Sequence, residues 1–181
     1  MDRETAYQLV KSKIKTKNLI KHVLAVEAVM RALAERLAQD EQKWGLCGLL
    51  HDLDYDETVN KPERHSLLTA ELLKDQDVDE DIIYAIKCHC DKVPKKSLMD
   101  KAIYAADPVT GFIVACALMH PEKKLAPLDL AFMKRRFKEK RFAMGASSEQ
   151  IASCSDIGLD LDEFLMISLQ AMQAIHKELG L

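Results

Sequence analysis

Six residues of this chain carry groups able to do chemistry together: His22, the adjacent pair His51 and Asp52, His65, His89 and Asp107. Imidazole nitrogens and carboxylate oxygens in combination suit borderline divalent cations such as Mn, Fe, Co, Ni or Zn. A cation so held lowers the pKa of a bound water from about 15.7 toward about 7, which makes hydroxide available at neutral pH. The pair lies in the stretch GLLHDLDYD, residues 48 to 56, where an apolar helix-like run ends in His51-Asp52 and two further carboxylates, Asp54 and Asp56, follow.

Periodicity turns these groups inward. On a helix expected over 18–38, His22 shares a side with Val26, Val29 and Leu33, and Arg31, nine residues on at about 100° per residue, points the opposite way. His65 shares a stripe with Leu68, Thr69 and Leu72, His89 with Ile82 and Ile86, and Asp107 lies below Ile103. Taken singly, each has a bland reading. A histidine on an apolar face is usually a core residue with a satisfied hydrogen bond, and an aspartate before proline is usually a helix end. Burying so many ionisable groups together is costly unless they pair or bind a cation, so one metal centre accounts for all six at once. His176 borders an apolar stripe and reads as structural, and His120 reads as a loop residue.

The elements that must position these residues read as helices throughout. Helical periodicity recurs, alternating strand-like runs are hard to find, and there are only 6 Gly and 5 Pro. The pattern predicts helices over 2–12, 18–38 and 41–51, with Glu27, Arg31 and Glu35 forming an alternating-charge wet face on the second. Pro62 suits the first turn of a helix running to Lys74, and another spans about 79–90. Ser97 and Asp100 resemble a capping box. Pro108 is expected to end or kink that helix after Asp107, with a further helix over 109–119. Helices near 128–140, 147–156 and 160–179 complete the chain, the last with an apolar stripe of Leu161, Leu165, Met172, Ile175 and Leu179. The expectation is an all-α fold, one domain over 1–181, with the motif core at about 15–120 and helices 121–181 packed on it.

Composition narrows the function. The 181 residues are 48% hydrophobic and 30% charged with net charge -3, typical of a globular protein without an electrostatic footprint for nucleic acid. No apolar run approaches the roughly 20 residues a membrane span needs, and the charged N-terminus lacks an apolar signal core. A cytoplasmic location is expected. The five cysteines are an odd count, which argues against a disulfide framework. Cys88 and Cys90 flank His89, but positions two apart on a helix diverge, so buried thiols are favoured over a Cys-His-Cys zinc site.

The order His22, then His51-Asp52, then Asp107 resembles the H…HD…D signature of the HD superfamily of metal-dependent phosphohydrolases. The stretch GLLHDLDYD resembles its small HDIG-type branch, with Leu53-Asp54 where the namesake has Ile-Gly. The resemblance implies an all-α fold holding a metal between central helices, with His22, His51, Asp52 and Asp107 as ligands. His65 and His89, placed between the HD pair and the last aspartate, resemble the two-metal subset, in which Asp52 would bridge both ions. The GYP motif and adjacent histidine pair of the cyclic-dinucleotide phosphodiesterases are missing here. The dinucleoside-tetraphosphate hydrolases of the superfamily are closer in size and histidine order.

The implied cofactor is one or two divalent metal ions per chain, with Fe, Mn, Co, Ni, Zn and Mg all open. The implied activity is hydrolysis of a phosphoester or phosphoanhydride of a nucleotide or other small phosphorylated metabolite. Neither a nucleic-acid polymer nor a membrane is expected as partner, and oligomer formation stays open. A di-iron oxygenase on the same scaffold and a non-catalytic nucleotide sensor are the competing classes. Besides Asp52, the candidate catalytic residues are Lys61 and Arg64, for phosphate charge, and Glu63, for proton transfer. A solvated first helical turn is the competing reading for these three. Lys92, Lys95 and Lys96 are candidates for a pocket rim or a solvated loop. Asp54 and Asp56 suit either helix ends or partners of metal-bound histidines. The basic run MKRRFKEKRF suits a solvated face, an oligomer contact or a lid.

Overall fold

The computed structural model describes residues 1–139 and 142–181, and among them there is no β-strand. Asp2 caps α1 (Arg3–Lys13) by accepting from the Thr5 amide at 2.7 Å. Next comes α2 (Lys17–Arg36), whose stripe of Leu19, Val23, Val26, Met30 and Leu33 is buried. Helix α3 (Glu41–Leu50) lies against α2 almost backbone to backbone. A Cβ placed at Gly48 would sit 2.8 Å from the Val26 carbonyl oxygen and 2.9 Å from the Glu27 Cα, closer than packing allows. That approach sets where α3 delivers its last residues, His51 and Asp52.

The expected wet face of α2 is only partly wet. Glu27 is buried because α1 crosses above it and supplies Arg3, whose Nε and Nη2 donate to the carboxylate at 2.6 and 2.9 Å. Arg31 donates to the same carboxylate at 3.0 Å from both Nε and Nη2. Glu35 remains exposed.

A short α4 (Tyr55–Thr58) follows the HD pair. The helix expected from Pro62 begins later, as α5 (Leu67–Leu73), because Ser66 takes a left-handed conformation at φ 65° that an α-helix cannot include. His65 therefore sits on a turn and not on a helical stripe. Helix α6 (Glu80–Cys88) runs close to expectation. The capping box opens α7 (Leu98–Met119): Asp100 N donates to Ser97 Oγ at 3.1 Å and Ser97 N to Asp100 Oδ2 at 2.8 Å.

Pro108 does not end α7, which continues unbroken through it. Proline forfeits one backbone bond to the residue four earlier, and the buried flanks Ala105, Ala106, Val109 and Phe112 hold the helix together across the gap. The merged helix is 22 residues long and apolar enough to cross a membrane by length and composition, contrary to the sequence expectation. In the fold it is the central core helix, with 61% of its most apolar window buried.

The remaining elements are α8 (Leu130–Phe137), α9 (Ser148–Ala152), a 3-10 helix over Ser153–Ile157, α10 (Leu161–Ala174) and α11 (His176–Leu179). The last expected helix is split at Ile175, whose backbone leaves the helical region (φ -111°, ψ 25°). Leu165, Met172 and Leu179 of its stripe are buried. Helix α10 packs on α2 and α7, and α9 and the 3-10 helix pack on α7. Lys140, the last residue of the helix expected near 128–140, and Arg141 lie outside the described residues. Within the basic run, Lys134 pairs with Asp162 of α10 at 2.6 Å.

Candidate metal centre

The two helices packed through Gly48, the turn before α5, the end of α6 and the middle of α7 bring all six expected residues together. Asp52 is the hub. Its Oδ1 lies 3.5 Å from His51 Nε2, 3.3 Å from His65 Nε2 and 3.5 Å from His89 Nε2. Its Oδ2 lies 3.5 Å from His22 Nε2. Asp107 Oδ1 stands 3.1 Å from His22 Nε2 and 3.8 Å from His51 Nε2. Two overlapping donor groups result: His22, His51 and Asp107, and His51, Asp52 and His89, each with ligand atoms mutually within 4.8 Å. His65 and His89 also approach each other, Nε2 to Nε2, at 3.1 Å.

Every one of the four imidazoles presents Nε2 inward because Nδ1 is engaged behind it. His51 Nδ1 meets the Gly48 carbonyl at 2.8 Å and His89 Nδ1 the Ile86 carbonyl at 2.5 Å. His65 Nδ1 meets Asp54 Oδ1 at 2.8 Å. His22 Nδ1 meets Thr110 Oγ1 at 3.1 Å, and that hydroxyl donates onward to the Asp107 carbonyl at 3.0 Å. A proton held at Nδ1 by such partners leaves the Nε2 lone pair facing the cluster, the arrangement that metal-binding histidines use.

Burial alone would keep His51 neutral, but the Asp52 and Asp107 carboxylates outweigh it and push its pKa up to about 9. His65 follows the same balance: burial opposes its charge, and Asp52 and Asp54 carry it to about 9. Burial would raise Asp52 and Asp107, and the surrounding rings instead hold both well below the usual carboxylate range. Among the described residues the ion-pair partners of these two carboxylates are all imidazoles. One buried side-chain nitrogen is left without a partner among them. The His51 Nε2 is fully buried and makes no hydrogen bond. An orphaned buried nitrogen amid carboxylates and further Nε2 atoms fits a divalent cation in both donor chemistry and placement.

Other expected residues stand further off. Lys61, Glu63 and Arg64 are exposed on the turn before His65, and Arg64 pairs with Glu71 at 3.1 Å. Lys92 donates to the Pro62 carbonyl, Lys95 pairs with Asp91, and Lys96 lies over the Tyr84 ring. Asp54 and Asp56 separate cleanly. Asp54 is buried, accepts from the Thr69 amide at 2.9 Å and orients His65. Asp56 instead ties the start of α2, accepting from Thr16 Oγ1 at 2.7 Å and the Lys15 amide at 2.7 Å.

Sequence reasoning missed Thr110 and Gly48, and it set Cys90 aside as a buried thiol. Thr110 follows Asp107 by three residues, the spacing of one helix face, and that was the available signal. Cys88 turns away toward the Pro94 carbonyl, whereas Cys90 joins His65 and His89 in a third donor group and donates to Ser66 Oγ at 3.1 Å. Burial pushes the Cys90 thiol up.

Comparison with known proteins gives a consistent set. The HD domain family matches residues 19–111, which contain all six residues. The chain is 34% identical to ribonuclease Y of Oleidesulfovibrio alaskensis over 91% of its own length and 32% of that protein's. Ribonuclease Y of Nitratidesulfovibrio vulgaris is 28% identical over the same shares. The chain thus spans about a third of the length of these relatives. The symmetrical bis(5'-nucleosyl)-tetraphosphatase of Halalkalibacterium halodurans is 30% identical over 59% of this chain and 68% of that protein. No solved structure matches.

Proposed function

The chain belongs to the HD domain family, and on that premise we propose that it is a metal-dependent phosphohydrolase cleaving a phosphoester or phosphoanhydride of a nucleotide or related small metabolite. The observation that carries this reading is the gathering of Nε2 atoms around Asp52 with the His51 Nε2 buried and unpartnered. In this reading His22, His51, Asp52 and Asp107 would hold one cation, and His65 and His89 would hold a second that shares Asp52. Divalent cations there supply an acidified water and neutralise charge on the phosphate.

The protein's own part is orientation. Gly48, Ile86, Thr110 and Asp54 each fix a ring at Nδ1 so that no imidazole has to turn when substrate arrives. A water oxygen would bond to phosphorus as the bond to the leaving-group oxygen breaks, with the water's proton passing through solvent to the departing oxygen. Lys61, Glu63 and Arg64 are given no part in the step: all three are exposed, and Arg64 is paired with Glu71. A second reading, cleavage of a phosphodiester in RNA, draws on the likeness to ribonuclease Y across 91% of the chain.

The test is elemental analysis of protein purified without chelators, followed by phosphate-release assays. Nucleoside mono-, di- and tetraphosphates and an RNA oligonucleotide are each offered with Mn, Fe, Co, Ni, Zn and Mg. Metal-dependent release from the small nucleotides is expected. RNA turnover alone moves the assignment to the second reading, and the absence of any bound metal and of any turnover sinks both.

A further inference from the structure

The histidine and aspartate cluster is closed on one side and open on another. His51 and His89 are buried, while the side chains of His22 and Asp107 keep 24% and 27% of their surface exposed. The open side leads into a groove of about 230 Å³. Asp107, Gly111 and Ala115 follow one another at intervals of four along α7 and share one face, which forms the floor. The opposite wall is the turn over 143–146, closed by a hydrogen bond from the Ala146 amide to the Ala143 carbonyl at 2.7 Å.

Missing side chains set the width of this groove. A Cβ built on Gly111 or on Gly145 meets nothing within 4 Å. Among the described lining residues, His22 and Asp107 alone carry ionisable groups. The inner end adjoins the buried, unpartnered His51 Nε2, which lies 3.8 Å behind the Asp107 carboxylate. Among the described lining residues, a phosphate finds its partners at the inner end. Those that line the outer part carry no basic side chain of the kind that single-strand grooves use to hold a polyanion. Its small walls suit a flat, uncharged ring system, and its volume falls below the roughly 300 Å³ at which pockets take a whole drug-sized ligand.

We infer that this groove seats the nucleoside half of a nucleotide whose phosphate reaches the cluster, and that Gly111 and Gly145 determine that specificity. The inference rests on the phosphate-binding reading above. It also gives the segment after residue 121 a role, as one wall of the substrate groove.

The test compares the parent protein with Gly111→Leu and Gly145→Leu, using AMP and inorganic phosphate as probes in the presence of Mn2+ and calorimetry as readout. Leucine at position 111 improves helix propensity, and a Cβ there meets nothing within 4 Å, so folding should be retained. The parent should bind AMP more tightly than phosphate. The variants should weaken AMP roughly tenfold or more, the scale of shape discrimination in a pocket, and leave phosphate affinity unchanged. The inference is overturned if the parent binds AMP no better than phosphate. It is equally overturned if neither variant separates the two probes. Nucleotide hydrolysis is measured apart, so a parent that prefers AMP but releases no phosphate defeats the hydrolase reading and leaves the groove assignment standing.

Discussion

Two buried charge clusters lie on either side of Gly48, and they are built on opposite plans. Around Glu27, two guanidinium groups saturate the carboxylate, with hydrogen bonds of 2.6 to 3.0 Å. Around Asp52, the contacts to the four imidazoles run from 3.3 to 3.5 Å and His51 Nε2 is left unpartnered. The first cluster is complete within the chain and fastens α1 to α2. The second is complete only with something added. Burial of charge is common to both, so burial alone does not mark a site. The unpartnered buried Nε2 does.

Removing the hub should separate the clusters most sharply. Asp52→Ala is expected to lose more metal than any single histidine variant, with activity falling further than the roughly 10–100-fold that follows loss of a partner beyond the ligands. Equal metal content in this variant and the parent, by elemental analysis, would show that Asp52 is no hub. Next in size is Asp54→Asn. It should cost metal affinity within that same roughly 10–100-fold range, because His65 loses the carboxylate that aims it. Titration of metal into the two proteins measures this, and an unchanged affinity removes Asp54 from the site.

The Asp52 cluster should also answer to pH. His51 and His65 stand near 9 in the folded chain, against an ordinary value of about 6.5. Their charge pairing therefore stabilises the metal-free fold fully below about pH 6.5, and that contribution disappears as pH rises through 9. The depressed Asp52 and Asp107 describe the same pairing from the acid side. Metal competes with protons for Nε2, so metal affinity should rise over the same interval. Melting temperatures of metal-free protein should fall from pH 6.5 to 9.5, and those of metal-loaded protein should not. Parallel curves would contradict the assignment.

Gly48→Ala probes the seam between the clusters. The added methyl meets backbone atoms of Val26 and Glu27, an overpacking that costs about 1–3 kcal/mol. Since the same glycine's carbonyl holds His51, stability and metal affinity should drop together. A variant that loses one alone would uncouple them. The smallest functional effect is expected from Glu27→Gln. It should lower stability by about 1–3 kcal/mol, as a buried charge-assisted bond is weakened, with metal content and turnover unchanged. A loss of metal in this variant would break the contrast.

Much of this was legible in the chain. Helical periodicity named the inward faces of α2, α6 and α7, and the order of His22, His51-Asp52, His65, His89 and Asp107 named the cluster that the fold assembles. The capping box at Ser97 and Asp100 was readable because all of its partners lie within four residues. The errors share a cause. Pro108 was expected to break a helix that its buried flanks keep whole, and Glu27 was placed in solvent although α1 covers it with Arg3, 24 residues away.

Residue types and local spacing settled which groups face inward, because a helix repeats every few residues and a ligand's chemistry belongs to its own side chain. They left undecided what stands behind each ring. Asp54 and Asp56 are two residues apart in one short stretch, yet one aims His65 and the other ties down Lys15 and Thr16 ahead of α2. The tertiary structure alone decided that, along with the seam at Gly48 and the side on which the cluster opens. Each depends on the approach of segments distant in the chain, and periodicity fixes the face of a helix without naming the neighbour it meets.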